Sequence, residues 1–273
     1  MKYYETTFEE YIQSSKSNNL HEEIDNVIDK FPSSIDNFHN LILYGPSGSG
    51  KYTQALKIIE KYSPSKLKYD RKISVSNEKI DKKKQTVVET TNKKKTGQAK
   101  KEINVTKKQE FIYRISDIHY EIDMSLLGCN SKNLWHDIYF QIIDIISVKP
   151  KKTGIIVCKN FDCIYNELLD IFYSYIKHPL EHLNIYVYFI IITENISFIP
   201  NNILNSSLLI PIKRPSKQEY LTMIRSQTKP FFFQTKNGED QTTTIMDSID
   251  DTTILNAKEL FMMKKIKSVD ELP

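Results

Sequence analysis

The stretch Leu41-Ile42-Leu43-Tyr44-Gly45-Pro46-Ser47-Gly48-Ser49-Gly50-Lys51-Tyr52-Thr53 decides how this chain is read. Four apolar residues running into a glycine have the pattern of a short, buried parallel strand. Gly45, Gly48 and Gly50 then allow a tight loop whose backbone N–H groups converge with no side chain in the way. A helix from Lys51 to about Tyr62, stopped by Ser63-Pro64, aims its N-terminus at the anion, and Lys51 adds a cation for the β- and γ-phosphates. This is a phosphate-binding P-loop. The predicted nucleotide-binding residues are Gly45, Pro46, Ser47, Gly48, Ser49, Gly50, Lys51, Tyr52 and Thr53, with ATP as cofactor. The plainer alternative is a glycine loop that turns the chain and binds nothing.

Two departures bear on chemistry. The residue after the lysine is usually Ser or Thr, whose hydroxyl ligates Mg²⁺. Here it is Tyr52, and Thr53 is a poor substitute one position round the helix. Hydrolysis further needs an aspartate for the metal and a glutamate for the attacking water, at the end of a neighbouring strand. The candidate strand Ile155–Cys158 runs instead into Lys159-Asn160-Phe161-Asp162. A lysine there repels Mg²⁺, and Asp162 is expected as the N-cap of the next helix. No residue is therefore assigned a catalytic role.

Outward from the loop, strand material recurs at Phe111–Ser116, His119–Asp123, Gly154–Cys158, Ile185–Thr193 and Leu208–Ile212. Between these runs, Leu134, Trp135, Ile138, Ile142, Ile145 and Ile146 line one helix face, and Leu168–Ile176 forms another helix. Strands alternating with helices predict an α/β fold, a parallel sheet flanked by helices. Residues 1–36 read as an N-terminal helical arm, 37–212 as the P-loop domain, and 213–273 as an abbreviated helical lid with helices near 216–226 and 254–265.

The net charge of +4 is unevenly spread. Residues 66–108 hold 15 Lys/Arg against 5 Asp/Glu, a local +10, so the remainder carries −6. Within that region, residues 77–109 are lysine-rich and low in apolar surface, which predicts a mobile insertion. Lysine runs bind phosphate backbones by releasing counterions, although a solvated loop is the blander reading. Without interleaved aromatics, stacking on single strands is not indicated.

The three cysteines (Cys129, Cys158, Cys163) lack metal-ligand spacing, and the six histidines show no HExxH-like pattern, so no metal site is predicted. The apolar run Ile185–Ile192 is too short to span a bilayer, and no membrane association is expected. Trp135 reads as core, and Phe231, Phe232 and Phe233 as residues buried under the lid.

The stretch 41–53 resembles the AAA+ small subunits of sliding-clamp loaders, the replication factor C type. The resemblance extends over roughly residues 37–226 outside the basic insertion. Ile118-His119-Tyr120-Glu121-Ile122-Asp123 with Ser125, Gly128 and Asn130 is similar to that family's Tyr-His-Leu-Glu-x-Asn-Pro-Ser segment. Ile155–Asp162 is similar to its Walker B strand, Tyr186–Glu194 to its sensor-1 strand, and Ile199–Ser207 with Ile212–Ser216 to the segment leading into the lid. The resemblance implies an ATP-binding subunit of a hetero-oligomer with other clamp-loader subunits, a sliding clamp and DNA as partners. A nucleus or a viral replication factory would house it.

The chain also departs from the family. Lys159 and Asn160 stand where Asp-Glu-Ala-Asp begins, and Asn205-Ser206-Ser207 has no arginine where Ser-Arg-Cys supplies a finger to a neighbour. Asn195 lies near the sensor-1 position, Arg225 is the only late candidate for sensor 2, and the helical collar has no counterpart. These departures imply poor hydrolysis or none. The competing expectations are a stand-alone P-loop kinase or ATPase, and an interaction subunit that keeps the fold without the nucleotide.

Overall fold

The computed structural model describes residues 7–16, 19–76, 110–177, 180, 184–216 and 218–219. The lysine-rich segment, the lid helix near 216–226 beyond its first residues, the whole of the one near 254–265, Arg225, the Phe231–Phe233 run, His178 and His182 lie outside them.

Among the described residues seven strands make one sheet: β1 (Asn40–Tyr44), β2 (Arg71–Ser76), β3 (Glu110–Ile115), β4 (His119–Asp123), β5 (Thr153–Lys159), β6 (Tyr186–Thr193) and β7 (Ser207–Pro211). Their spatial order is β2-β3-β4-β5-β6-β1-β7. From β4 to β7 every pair is parallel, and β2 and β3 add an antiparallel hairpin at one edge. Six of these strands match expected runs to within a residue or two. Strand β2 was not expected, and it is the partner of Phe111–Ile115, Val75 facing Phe111 and Ile73 facing Tyr113. The segment 77–109 therefore leaves the sheet at Ser76 and rejoins it at Glu110, two residues paired across the hairpin.

Among the described residues six helices cover the two faces: α1 (Phe8–Lys16), α2 (Glu22–Asp29), α3 (Lys51–Tyr62), α4 (Ser131–Ser147), α5 (Asn166–Ile176) and α6 (Asn201–Asn205). The alternation along each strand decides which layer a side chain joins. Leu41, Leu43, Ile155, Val157, Ile190 and Ile192 point towards α1, α2 and α3. Ile42, Ile156, Cys158, Phe189 and Ile191 point the other way, towards α4 and α5. Both faces are buried, so the central strands read as unbroken apolar runs. The expected α/β domain, a parallel sheet flanked by helices, is what forms. Among the described residues no helix is long and apolar enough to cross a membrane.

Trp135 belongs to the core, as read from the sequence. Its ring lies 5.0 Å from Phe172, which also packs edge-on against Phe161 at 5.0 Å and Phe189 at 5.7 Å. Aromatic groups in such pairs contribute beyond their buried area. Phe172→Ala should therefore lower unfolding stability by about 3–5 kcal/mol in a denaturant titration, and a loss below about 1 kcal/mol would contradict this packing.

Candidate functional site

Strands β1, β6 and β5 end together, because Tyr44 pairs with Thr193 and Cys158 with Ile191. Their carboxyl ends therefore bring Gly45, Glu194 and Lys159 to one edge of the sheet, where open α/β sheets take their ligands. The loop Gly45–Gly50 crosses this edge and feeds α3. Gly50 is the N-cap of α3 in a left-handed conformation (φ 89°), and Gly48 is left-handed too (φ 72°), which suits residues without a Cβ. At Gly45 the demand is steric. A Cβ there would sit 2.1 Å from the Ile212 carbonyl oxygen, and Ile212 is tied down by its N–H bond to Tyr44.

Lys51 opens α3, and its side chain folds back over the loop. The ammonium donates to the carbonyls of Gly45 (2.7 Å) and Pro46 (2.8 Å). Burial holds its pKa below the ordinary lysine value, while the nearby carboxylates of Glu194 and Asp162 act to raise it. The sequence missed these two acids as neighbours of the loop. Glu194 follows β6, and Asp162 lies inside a 3-10 turn, Phe161–Cys163, capped by Asn160. Asp162 is therefore not the N-cap of the next helix: α5 begins at Asn166 behind Tyr165. The reason is Asn160, whose left-handed backbone (φ 52°) turns the chain early.

Ser49 is buried at the turn of the loop, and its hydroxyl has no hydrogen-bond partner. Its carbonyl accepts a 2.6 Å hydrogen bond from Nε2 of His21, a residue the sequence did not single out for the loop. His21 is buried just before α2, and its ring lies 3.5 Å from where a Cβ on Gly50 would stand. The loop is thus braced from the α2 side. Pro46 and Ser47 are exposed at its outer rim.

The hydroxyls of Tyr52 and Thr53 are engaged by other side chains. The Tyr52 hydroxyl donates to Oε1 of Glu121 at 2.7 Å. The Thr53 hydroxyl pairs with that of Tyr11 in α1 at 3.1 Å, and the Tyr11 and Tyr52 rings meet edge-on at 5.2 Å. Glu121 lies on β4 with Tyr120 and Ile122 facing the opposite layer, so its carboxylate points under α1 and α3. It is 2% exposed. Its other oxygen accepts from Lys159 at 3.2 Å, and Lys159 also sits 5.2 Å from the Tyr52 ring centre. His119 completes the set, its Nε2 lying 3.4 Å from Oε1. Ser116 Oγ accepts the N–H groups of Ile118 and His119, so its own proton goes to His119 Nδ1 and leaves Nε2–H as the donor to Glu121.

The electrostatics follow from that geometry. Burial alone would raise the Glu121 pKa, but the His119 hydrogen bond, the Lys159 charge and the Tyr52 hydrogen bond overcome it and bring it down to about 2. Burial and the adjacent Glu121 charge push the Tyr52 phenol strongly upward, so it stays protonated and donating. Helix α1 roofs the cluster: Phe8 stacks 4.8 Å from His119, and Arg114 lies 4.1 Å over the Phe8 ring while paired with Asp70.

The loop fits a nucleotide phosphate: glycine-permissive backbone, a helix N-terminus, the lysine, and a buried hydroxyl in need of a partner. Mg²⁺ does not fit equally. The hydroxyls of Tyr52 and Thr53 are engaged elsewhere, and β5 ends in an ammonium. Asn160 donates to Asp123 at 2.9 Å, closing the second position of the strand end. Among the described residues no group of three or more His, Cys, Asp or Glu side chains is placed to hold a metal ion. Asn195, expected near a sensor-1 position, accepts from the Ser197 hydroxyl through its side-chain oxygen at 3.2 Å. Asn205 ends α6, Ser206 caps it and Ser207 opens β7.

No family model and no curated protein match the chain. Solved structures align over most of it. One is a DNA replication initiation factor (TM-score 0.46, 10% identity, 95% of this chain and 63% of that one). Another is C. elegans PCH-2 (0.45, 12%, 87% and 60%) and a third is AMPPCP-bound DnaA from Aquifex aeolicus (0.46, 9%, 97% and 67%). The chain thus spans less than two thirds of the first two. At these low scores, the strand order and the loop describe the fold, and the likeness adds no argument.

A depressed carboxylate pKa gives stability that is complete above the unfolded glutamate value of 4.5 and is lost as pH falls through about 2. Glu121→Gln should therefore flatten the loss of unfolding stability between about pH 5 and about pH 3 that the wild type shows in urea titrations. Equal losses in both proteins over that window would contradict the paired, ionised Glu121.

Proposed function

We propose that this chain is an AAA+-type nucleotide-binding subunit of DNA replication machinery. It acts within a clamp-loader-like hetero-oligomer, binding ATP and turning it over slowly or not at all. The observation that carries the reading is the loop at the end of β1, with the buried Lys51 ammonium held over it and glycines where a Cβ would clash or strain the backbone. That cradle is built for phosphate.

The slow turnover is argued from the same edge of the sheet. Hydrolysis needs an activated water and a stabilised leaving phosphate. The end of β5 offers an ammonium bound to Glu121 and an amide bound to Asp123. Neither can take a proton from water. The C-terminus of α6 offers serines where a neighbour's nucleotide would need an arginine. The clamp-loader assignment rests on the sequence resemblance. Other loader subunits, a sliding clamp and DNA reached through the complex are the partners it proposes, in a nucleus or a viral replication factory.

A kinase reading has less support, because the sequence offers no convincing set of acidic and arginine residues for a phosphoryl acceptor. The reading that keeps the fold without nucleotide differs from the first in one measurable property. Lys51→Ala should weaken binding of a fluorescent ATP analogue by about tenfold or more. Phosphate release by the wild type should stay far below the ordinary enzymatic range of about 1 s⁻¹ and above. Equal, negligible binding by both proteins would favour the nucleotide-free subunit, and ordinary turnover would refute the proposal of a slow site. Co-purification with other loader subunits or a sliding clamp at low salt tests the partners.

A further inference from the structure

We infer that the loop takes its nucleoside triphosphate without a divalent cation, because the hydroxyl position after Lys51 and the end of β5, where a cation would find its protein ligands, hold side chains bound to Glu121 and Asp123. The inference rests on the nucleotide-binding reading above and concerns the form of nucleotide that the site accepts.

Mg²⁺ demands near-octahedral oxygen donors and gives up its waters reluctantly, so a P-loop normally meets it with a hydroxyl, one or two carboxylates and the phosphates themselves. The groups at the hydroxyl position and at the end of β5 are engaged elsewhere here. Tyr52 stands at the hydroxyl position, and its O–H is spent on Glu121 at 2.7 Å. The next hydroxyl, Thr53, is paired with Tyr11. Glu121 is the carboxylate nearest to Tyr52, but both its oxygens already accept, one from Tyr52 and His119 and the other from Lys159. It is also buried beneath α1 and α3, where an entering ion would have to displace an ammonium. Asp123 accepts from Asn160, from the Ser125 N–H and from the Ser125 hydroxyl at one oxygen. Burial lowers the Lys51 pKa, and the charges of Glu194 and Asp162 act against that shift.

The Lys159 ammonium makes the arrangement self-consistent. It lies where a cation would otherwise be recruited and is fixed by an ionic hydrogen bond and by the face of Tyr52. A second cation brought close to it would be repelled in a poorly screened site.

The test is a titration of the full chain with a fluorescent ATP analogue, once with Mg²⁺ in excess and once with EDTA, and with Lys51→Ala as the control for binding at the loop. Dissociation constants agreeing within about threefold are expected. Binding weaker in EDTA by more than about threefold would overturn the metal-free site while leaving nucleotide binding intact. Saturation absent in both buffers, or unchanged by Lys51→Ala, would overturn this inference and the nucleotide-binding reading together.

Discussion

Burying the Glu121 carboxylate between the sheet and α3 creates a demand that donors from distant parts of the chain must meet. An unpaired buried charge costs several kcal/mol, and each hydrogen bond to a charged group returns about 1.5–3 kcal/mol. Tyr52, Lys159 and His119 meet the demand from α3, β5 and β4 itself. The first turn of the P-loop helix is thereby fastened to two strands. Helix α1 closes the cluster from above through Phe8 and Tyr11, so the N-terminal segment shares its core layer with the loop helix.

That fastening separates two properties that P-loop proteins usually combine. The proposed anion cradle depends on backbone and one lysine, and both are in place. The proposed loss of hydrolysis follows from hydroxyl and carboxylate oxygens near the same helix, and here those of Tyr52 and Glu121 are bound to each other. The substitutions that look like losses, Tyr52 and Lys159, are two ends of one hydrogen-bonded unit. Neither would be stable alone beside an apolar layer: without Lys159 the carboxylate would lose its counter-ion, and without Glu121 the tyrosine hydroxyl would be buried with nothing to accept its proton.

Much of the architecture was legible because both faces of the sheet are buried. Leu41–Tyr44, Ile155–Cys158 and Ile185–Thr193 are apolar regardless of which layer each residue joins, so their runs announce strands directly. Strand β2 escaped because Arg71-Lys72-Ile73-Ser74-Val75-Ser76 is an edge strand next to a lysine run, and only pairing with β3 makes it extended. The loop residues were legible because their spacing is local. The cluster was not, because Tyr52, Glu121 and Lys159 are separated by dozens of residues and meet only through the parallel register of β4 and β5. One signal was present: Glu121 sits between Tyr120 and Ile122 in a mostly buried strand, and such a carboxylate requires a cationic partner. Asp162 was misplaced for a smaller reason, since a left-handed Asn160 is not written in residue spacing.

The central claim is that Tyr52 and Glu121 act as one unit within a buried ionic cluster. A double-mutant cycle measures this directly, using unfolding free energies of the wild type, Tyr52→Phe, Glu121→Gln and the double variant. The account predicts a coupling of about 1–3 kcal/mol, because a charged hydrogen bond disappears in either single variant and cannot be lost twice. Additive effects, with a coupling below about 0.3 kcal/mol, would contradict it.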